Sequence, residues 1–314
     1  MFFSYSYAEE DSTKVRTDFN TLKSGFYTDD FILFNSSDDC QIIYTTDGSQ
    51  PSFKNLNGKS YNFKKCKNCD FEKKKVYSYL YQKPLKISQL IETNERLANL
   101  TNTYLDFNPP NTKVDKGVVL RVKSICNRDT VEHEPKVIFI GDDFTEYRTI
   151  PILSLTVDQS DFWSYEKGIY VSGQNYSYDH PEDQEYSGNQ FQRGKEWERN
   201  AFMHYFNDNG DLSFAQGVGV RIHGGTSRKY VNRSFRLYAR KEYGTKHFDF
   251  PFFDNNTKHK RIKLRTSGQD IKHAYFRDGL VALLMERSAL TVESYKPVNL
   301  FINAEYWGIT NMRE

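Results

Sequence analysis

Val218-Gly219-Val220-Arg221-Ile222-His223-Gly224-Gly225-Thr226-Ser227-Arg228-Lys229 is the stretch on which the reading of this chain turns. Val218, Val220 and Ile222 alternate with Gly219 and Arg221, the pattern of a half-buried strand. Two glycines and two hydroxyl residues then break it, so the strand ends in a turn flanked by Arg and Lys. Such a turn can offer backbone amides, hydroxyls and cations to a phosphate. It is not a P-loop, which sets Gly-Lys-Ser/Thr after a longer glycine-rich loop. A glycine hairpin with solvated basic residues is the competing reading of the same letters.

Working outward, Ser234 to Arg240 forms another strand. Phe235, Leu237 and Ala239 share one face, and Ser234, Arg236, Tyr238 and Arg240 the other. Arg233 falls in the apolar phase at the strand's start. Cations facing a cleft here could pair with phosphates; a solvated sheet edge is the alternative. Arg261 to Arg265 reads as a third strand, followed by the polar run Arg265-Thr266-Ser267-Gly268-Gln269-Asp270. Phe276 to Ser288 carries the strongest helical periodicity, with Phe276, Leu280, Leu283 and Leu284 on one flank. Asp278 in its first turn suits the helix dipole. Val298 to Ile302 is a strand, Asn303 to Tyr306 a turn, and Trp307 to Met312 a further strand. Glu305 and Glu314 lie near strand ends but belong to no DxD or HExxH pattern, so no metal ligand is assigned. The last strand has nothing after it to cover its core, which predicts an open core and a fragment of a longer chain.

Upstream, Ile150 to Val157 reads as a buried strand, and Asp158 to Asp161 opens a short helix. Tyr176 to Lys195 is a polar surface excursion. Before Ile140 the units are shorter: Phe31 to Phe34, a turn over 35–39, Gln41 to Thr45, then Thr46-Asp47-Gly48-Ser49-Gln50-Pro51. In that last turn Asp47 bonds local backbone, Gly48 takes positive φ and Pro51 fixes the exit. The charged stretch Asn62 to Lys75 reads as an exposed loop, Ser88 to Leu97 as a helix, and Gly117 to Ser124 and Lys136 to Ile140 as strands. This is a small sheet domain ending near Ile140, with Gly141-Asp142-Asp143 as the junction. Residues 1–24 read as a disordered leader, or as the trimmed end of a signal peptide.

The whole chain has 314 residues, enough for roughly two domains. Its 24 Phe and 22 Tyr can build large cores despite a modest apolar fraction. Forty-three basic against 41 acidic residues give a net charge of +2, so no nucleic-acid footprint is expected. No apolar run reaches the length of a membrane span. Cys66-Lys67-Asn68-Cys69 is a CxxC, open to three readings: free or locally paired thiols, a disulfide of an exported protein, or zinc. Zinc needs two more ligands, and Cys40 and Cys126 are not read as a second close pair.

Several of these motifs resemble, in order, those of the CotH family of atypical kinases. Gly219 to Arg228 is similar to its Gly-x-Arg-x-(Arg/His)-Gly-(Asn/Gly)-x-Ser segment, and Arg233-Ser234-Phe235-Arg236-Leu237 to the strand after it. Val298 to Ile309 resembles its hydrophobic strand followed by Asn-Gly-x-Tyr-x-Gly, with Glu314 at the customary Glu. Gly168-Ile169-Tyr170 and Trp197-Glu198-Arg199 fit upstream, so the resemblance spans Thr149 to Glu314. The N-terminal part, by Gly25-Phe26-Tyr27 and Ile43 to Pro51, resembles the small β-sandwich at the C-terminus of chitobiase and β-hexosaminidase enzymes.

The resemblances imply an α+β chain: a small β-sandwich at 25–140, then the N-terminal part of an atypical protein-kinase-like domain at 145–314. CotH proteins transfer the ATP γ-phosphoryl to Ser with a divalent metal. By resemblance, Arg221, Gly224, Gly225, Thr226, Ser227, Arg228, Arg233 and Glu305 are the cofactor-binding candidates, with ATP and Mg²⁺ the cofactors of the intact family domain. Arg233 stands where the family usually has a Lys; a planar fork replaces a compact ammonium, which is not a neutral exchange. The family's downstream catalytic and metal-binding Asp residues have no counterpart before Glu314, so negligible kinase activity is expected of the chain. The implied partners are a protein substrate or surface-layer partner, and the implied location is extracellular, at the cell surface or in a spore coat; for Tyr44, Phe53 and Tyr61 two readings stay open, platforms for carbohydrate or ordinary core residues. A non-catalytic surface binding or adhesion protein is the second reading. A glycosidase ranks last, since no paired carboxylates mark such a site.

Overall fold

The alternating segments sort into an N-terminal pair of sheets and a barrel. The computed structural model describes residues 15–36, 40–64, 69–92, 96–100, 111–127, 129–177, 179–253, 256–268, 270, 273–286, 288 and 290–314. Strands dominate and the helices are few and short; of the α+β expectation, the fold carries chiefly the β part. Most of the leader, part of the 35–39 turn, the middle of the Ser88–Leu97 helix, Cys66 and Gln269 lie outside the described residues.

Arg16–Asp18, Ile32–Phe34 and Leu85–Lys86 form a three-stranded sheet. Gly25–Tyr27, Lys136–Ile140, Val118–Cys126, Cys40–Thr45 and Tyr79–Leu80 lie in that order in a larger one, with Asp129–Glu132 added beside Val118–Cys126. Leu33 from the first sheet and Ile42, Leu120 and Ile138 from the second share one apolar core, an arrangement compatible with a β-sandwich. The fold begins before Gly25: Arg16–Asp18 pairs in parallel with Ile32–Phe34, and Phe19 and Leu22 are buried. Lys59–Phe63 and Glu72–Val76 pair as a hairpin where a loop was expected. Its Tyr61, Phe63 and Val76 join the apolar cluster of the barrel, which accounts for strand at so charged a sequence.

Cys40 and Cys126 are directly opposite on paired antiparallel strands, 4.4 Å apart at Cα, and form a disulfide. In sequence the two are no close pair, since 86 residues separate them, and only the sheet register brings them together. Cys69 is disulfide-bonded as well. Closing so long a loop restricts the unfolded chain, so a Cys40→Ser/Cys126→Ser variant is expected to lose about 2–4 kcal/mol in urea denaturation.

Seven strands form the barrel: Ile152–Val157, Arg199–Phe206, Leu212–His223, Ser234–Tyr238, Arg261–Arg265, Glu305–Arg313 and Tyr295–Ile302. Tyr295–Ile302 returns to pair in parallel with Ile152–Val157, and the remaining barrel pairings are antiparallel. Leu155, Met203, Val220, Phe235, Leu264 and Leu300 belong to the core inside. The expected open core is not found. Glu305–Arg313 is paired on both sides, and closure leaves no exposed edge.

Arg199–Phe206 did not stand out as a strand because both of its faces are covered, which erases alternation. Ala201 and Met203 face the barrel core, while Phe206 packs with Phe139, Phe144 and Phe301 in an apolar layer against the N-terminal sheets. The helix Arg277–Met285 is where periodicity placed it, yet its apolar flank points outward. Phe276, Leu280, Leu283 and Leu284 are all exposed, Leu284 at 70%. Gly279 makes the contact instead, since a Cβ there would lie 2.2 Å from the Tyr295 ring.

The hairpin turn of the last two barrel strands is gripped by the N-terminal part. Asn303 and Ala304 both take positive φ, and Asn303 Nδ2 donates to the carbonyls of Asp47 (3.0 Å) and Val157 (3.1 Å). Gly48 must be glycine here: its φ is +85° and a Cβ would sit 2.4 Å from Asn303 Oδ1. Next to it Glu305 is buried against Lys116, Nζ at 3.5 Å, and accepts from the amides of Leu97 (3.0 Å) and Ala98.

Candidate anion-binding face of the barrel

Inward residues of the strand Leu212–His223 are Val218, Val220 and Ile222, so Gly217, Gly219, Arg221 and His223 face out. Gly217 and Gly219 leave room for the next layer. A Cβ would come 1.8 Å from the Tyr243 carbonyl at the first and 2.4 Å from Glu198 Oε1 at the second. Glu198, its side chain fully shielded, takes a two-pronged contact from Arg240 at 2.7 and 3.1 Å and an ion pair from Arg221 at 3.3 Å. Tyr238 lies beneath both guanidiniums, 4.3 Å from Arg221 and 4.8 Å from Arg240.

Register then aligns cations across four strands. Arg221 stands opposite Arg236, Arg236 opposite Lys263, and Lys263 opposite Arg313. Like charges directly opposite on a sheet repel one another, so each needs an anion. Lys263 has Glu293, and Arg313 has Asp278 at 3.2 Å, which also holds Arg265 at 2.7 Å. Arg236, half-buried in the middle of the row, meets no carboxylate among the described residues; its Nη2 lies 3.4 Å from His223 Nε2. Burial, then Arg236, Lys263, Arg228 and Arg265, hold the His223 pKa down at about 4, so the ring is neutral at neutral pH.

The sequence-derived candidates divide by position. Arg221 is occupied by Glu198. Arg228 is buried and its guanidinium donates to four carbonyls, those of Gly224 (2.7 Å), Gln190 (2.7 Å), Gln192 (3.0 Å) and Ile222 (2.8 Å). It therefore ties the glycine turn to the polar excursion, which is anchored rather than free. Arg233 is 1% exposed; Nε donates to the Arg228 carbonyl at 2.6 Å, Nη1 to that of Tyr170, and the guanidinium lies 4.8 Å from the Tyr170 ring centre. Burial above all pushes both arginines down to about 10, which still leaves them charged at neutral pH. Gly224, with φ of +110°, and Ser227 shape the turn, and Gly225 and Thr226 form its exposed rim. Glu305 is bound to Lys116 and the Leu97 amide of the N-terminal segment, at the junction described above. Lys263 and Glu198 escaped the sequence reading of this face, because only register places them beside Arg236.

The geometry suits an oxyanion: an unmatched guanidinium, further cations around it and an exposed glycine turn next to them. Residues 220–314 match the family model described as CotH kinase protein. The matched segment starts within the strand Leu212–His223 and holds the turn, Arg236, Lys263 and the closing hairpin. No curated protein matches the chain. A divalent cation does not fit the same face. Glu198, Glu293 and Asp278 are each engaged by Arg or Lys, and no three His, Cys, Asp or Glu side chains converge among the described residues. No helix among the described residues is long and apolar enough to cross a membrane.

Proposed function

We propose that the barrel is the nucleotide-holding part of a CotH-type atypical kinase, and that its outward cation row receives the phosphates of ATP. The single observation behind this is Arg236, held between Arg221 and Lys263 with no carboxylate of its own among the described residues. Phosphoryl transfer rests on positioning and on neutralising charge, and a preset guanidinium supplies both for a phosphate. Arg228 and Arg233 act one step back, holding the turn Gly224–Ser227 in shape. Mg²⁺ would come with the nucleotide and with carboxylates other than those of this face. The disulfide Cys40–Cys126 supports an extracellular or cell-surface setting, spore coat included, because such bonds persist in oxidising compartments. The two-sheet N-terminal part supports the chitobiase-like reading of 25–140 as an accessory module, and a Ser-bearing protein is the substrate class the kinase reading carries.

Calorimetric titration of ATP into the chain tests the proposal. Arg236→Ala is expected to weaken binding about 10–100-fold, the worth of one charge-assisted contact. Arg236→Lys keeps the charge and should lie between. ATP binding that is absent, or indifferent to Arg236→Ala, overturns the proposal.

A further inference from the structure

The strand Val118–Cys126 has two faces with different duties. Leu120 and Val122 point into the core of the N-terminal sheets, and Val119 packs into the apolar layer against the barrel. Arg121, two residues on from Val119, shares the barrel-facing side. It is only 7% exposed, where an aliphatic residue would extend the apolar layer. A buried guanidinium is costly unless paired, and nearly all such groups find partners. At Arg121 the buried Nε has no hydrogen-bond acceptor among the described residues. Asp158, Glu132, Asp47 and Asp161 act on it only through their field.

Arg121 lines a cleft of about 220 Å³ between the N-terminal sheets and the barrel. That is several times the ~30 Å³ share of one water in the liquid and below the ~300 Å³ of a drug-sized pocket. His133, Glu134 and Asn200 contribute polar walls, and Phe202 and Tyr243 apolar ones. Lys123, also in the wall, is already matched by Glu132 at 2.6 Å. His133 Nε2 lies 2.7 Å from Ser124 Oγ. The charge left unbalanced by any contact is therefore the guanidinium, with the exposed Glu134 nearby.

We infer that this junction cleft is a binding site for a small carboxylate, held by the Arg121 fork. One guanidinium balances one negative charge, and its planar donors match a carboxylate in a two-pronged contact. The neighbouring Glu132 and Glu134 oppose a dianion such as phosphate and favour a monoanion. Glu134, His133 and Asn200 give a ligand hydroxyl or amide something to bond, so a hydroxy acid or an acylated amino acid fits better than a bare alkyl carboxylate. The site is independent of the cation row and of the ATP reading.

The test is thermal denaturation and calorimetry of the whole chain with sodium acetate, glycolate and N-acetylglycine, against sodium chloride and sodium phosphate at equal ionic strength. Carboxylates are expected to raise the melting temperature beyond chloride and phosphate, glycolate and N-acetylglycine more than acetate. Arg121→Met should melt no lower than the parent without ligand, because an unpaired buried charge is removed, and should lose the carboxylate response. Arg121→Lys keeps a charge without the fork and should bind about tenfold or more weakly. If Arg121→Met does not fold, Arg121→Lys decides. An undiminished carboxylate response in either folded variant overturns the proposal. So does the absence of any carboxylate shift in the parent at millimolar concentration, or a larger shift with phosphate.

Discussion

Glu305→Ala is expected to destabilise the chain by about 3–5 kcal/mol, the cost of removing one member of a buried ion pair. Glu305 is 1% exposed and its carboxylate faces Lys116 Nζ at 3.5 Å. Burial pushes the Glu305 pKa up and the Lys116 pKa down, so each charge is tolerated chiefly because the other is there. The carboxylate also caps the amides of Leu97 and Ala98. Around it the backbone of 115–117 runs beside the barrel's last hairpin, with the Gly117 amide on the Ala304 carbonyl and the Tyr306 amide on that of Asp115, both at 2.9 Å. Removing the carboxylate takes a buried counter-charge away from the Lys116 ammonium at the seam between the two parts of the fold. Urea denaturation of Glu305→Ala, Lys116→Met and the Lys116→Met/Glu305→Leu pair forms a double-mutant cycle. The double variant should recover much of the loss, since an apolar pair can replace a buried ionic one at little cost. A single-variant loss under about 1 kcal/mol would mean that the pair behaves as a hydrated surface bridge.

Glu305 also marks where sequence reasoning stops. In the sequence it is an acidic residue after a strand, and the family pattern assigns it to the cofactor. Its partners Lys116 and Leu97 lie some two hundred residues earlier, and nothing local announces them. The strands were legible because alternation is local: Val218 to Ile222, Ser234 onward, Arg261 to Arg265 and Val298 to Ile302 all fall within observed strands or run off their ends by a residue or two. Barrel closure was not legible, because it rests on Ile152 pairing with Asn299. The Cys40–Cys126 bond stayed hidden for the same reason.

Of the candidate site, the Gly224–Ser227 turn could be read and the division of labour among its cations could not. Arg233 was already in the apolar phase of its strand, and that phase, rather than its charge, foretold its burial. Arg228 shows that an Arg in a glycine-rich turn can serve the turn itself, with its guanidinium bonded to four backbone carbonyls. Arg236 gains its importance from the residues opposite it, and register is invisible in a single sequence.

Lowering the pH from 7 toward 4 should destabilise the chain through two histidines that the fold keeps neutral. His204 is buried, and burial first and Lys136 second push its pKa down to about 3. In the unfolded chain it titrates near its ordinary ~6.5. Above that value neither state binds the proton. Below it the unfolded state takes a proton that the native state refuses, so stability falls as pH drops through the window from about 6.5 to about 3. One withheld proton costs at most about 1.4 kcal/mol per pH unit. His223, held down at about 4 by burial and its cationic neighbours, works in the same direction over a narrower window. His204→Phe should flatten the acid limb of a stability–pH curve. At neutral pH it should cost about 1 kcal/mol for the lost bond to Ser24 Oγ, now at 3.1 Å. The two rings respond differently to a bound anion. A phosphate on the cation row offsets Arg236, Lys263 and Arg265 and lets the His223 pKa rise toward its ordinary value, while His204, facing Ser24 on the junction side, stays where burial put it. Histidine proton resonances followed against pH with and without ATP separate these outcomes. Equal shifts in both rings would point to a global change, and a fixed His223 would place the nucleotide somewhere other than this face.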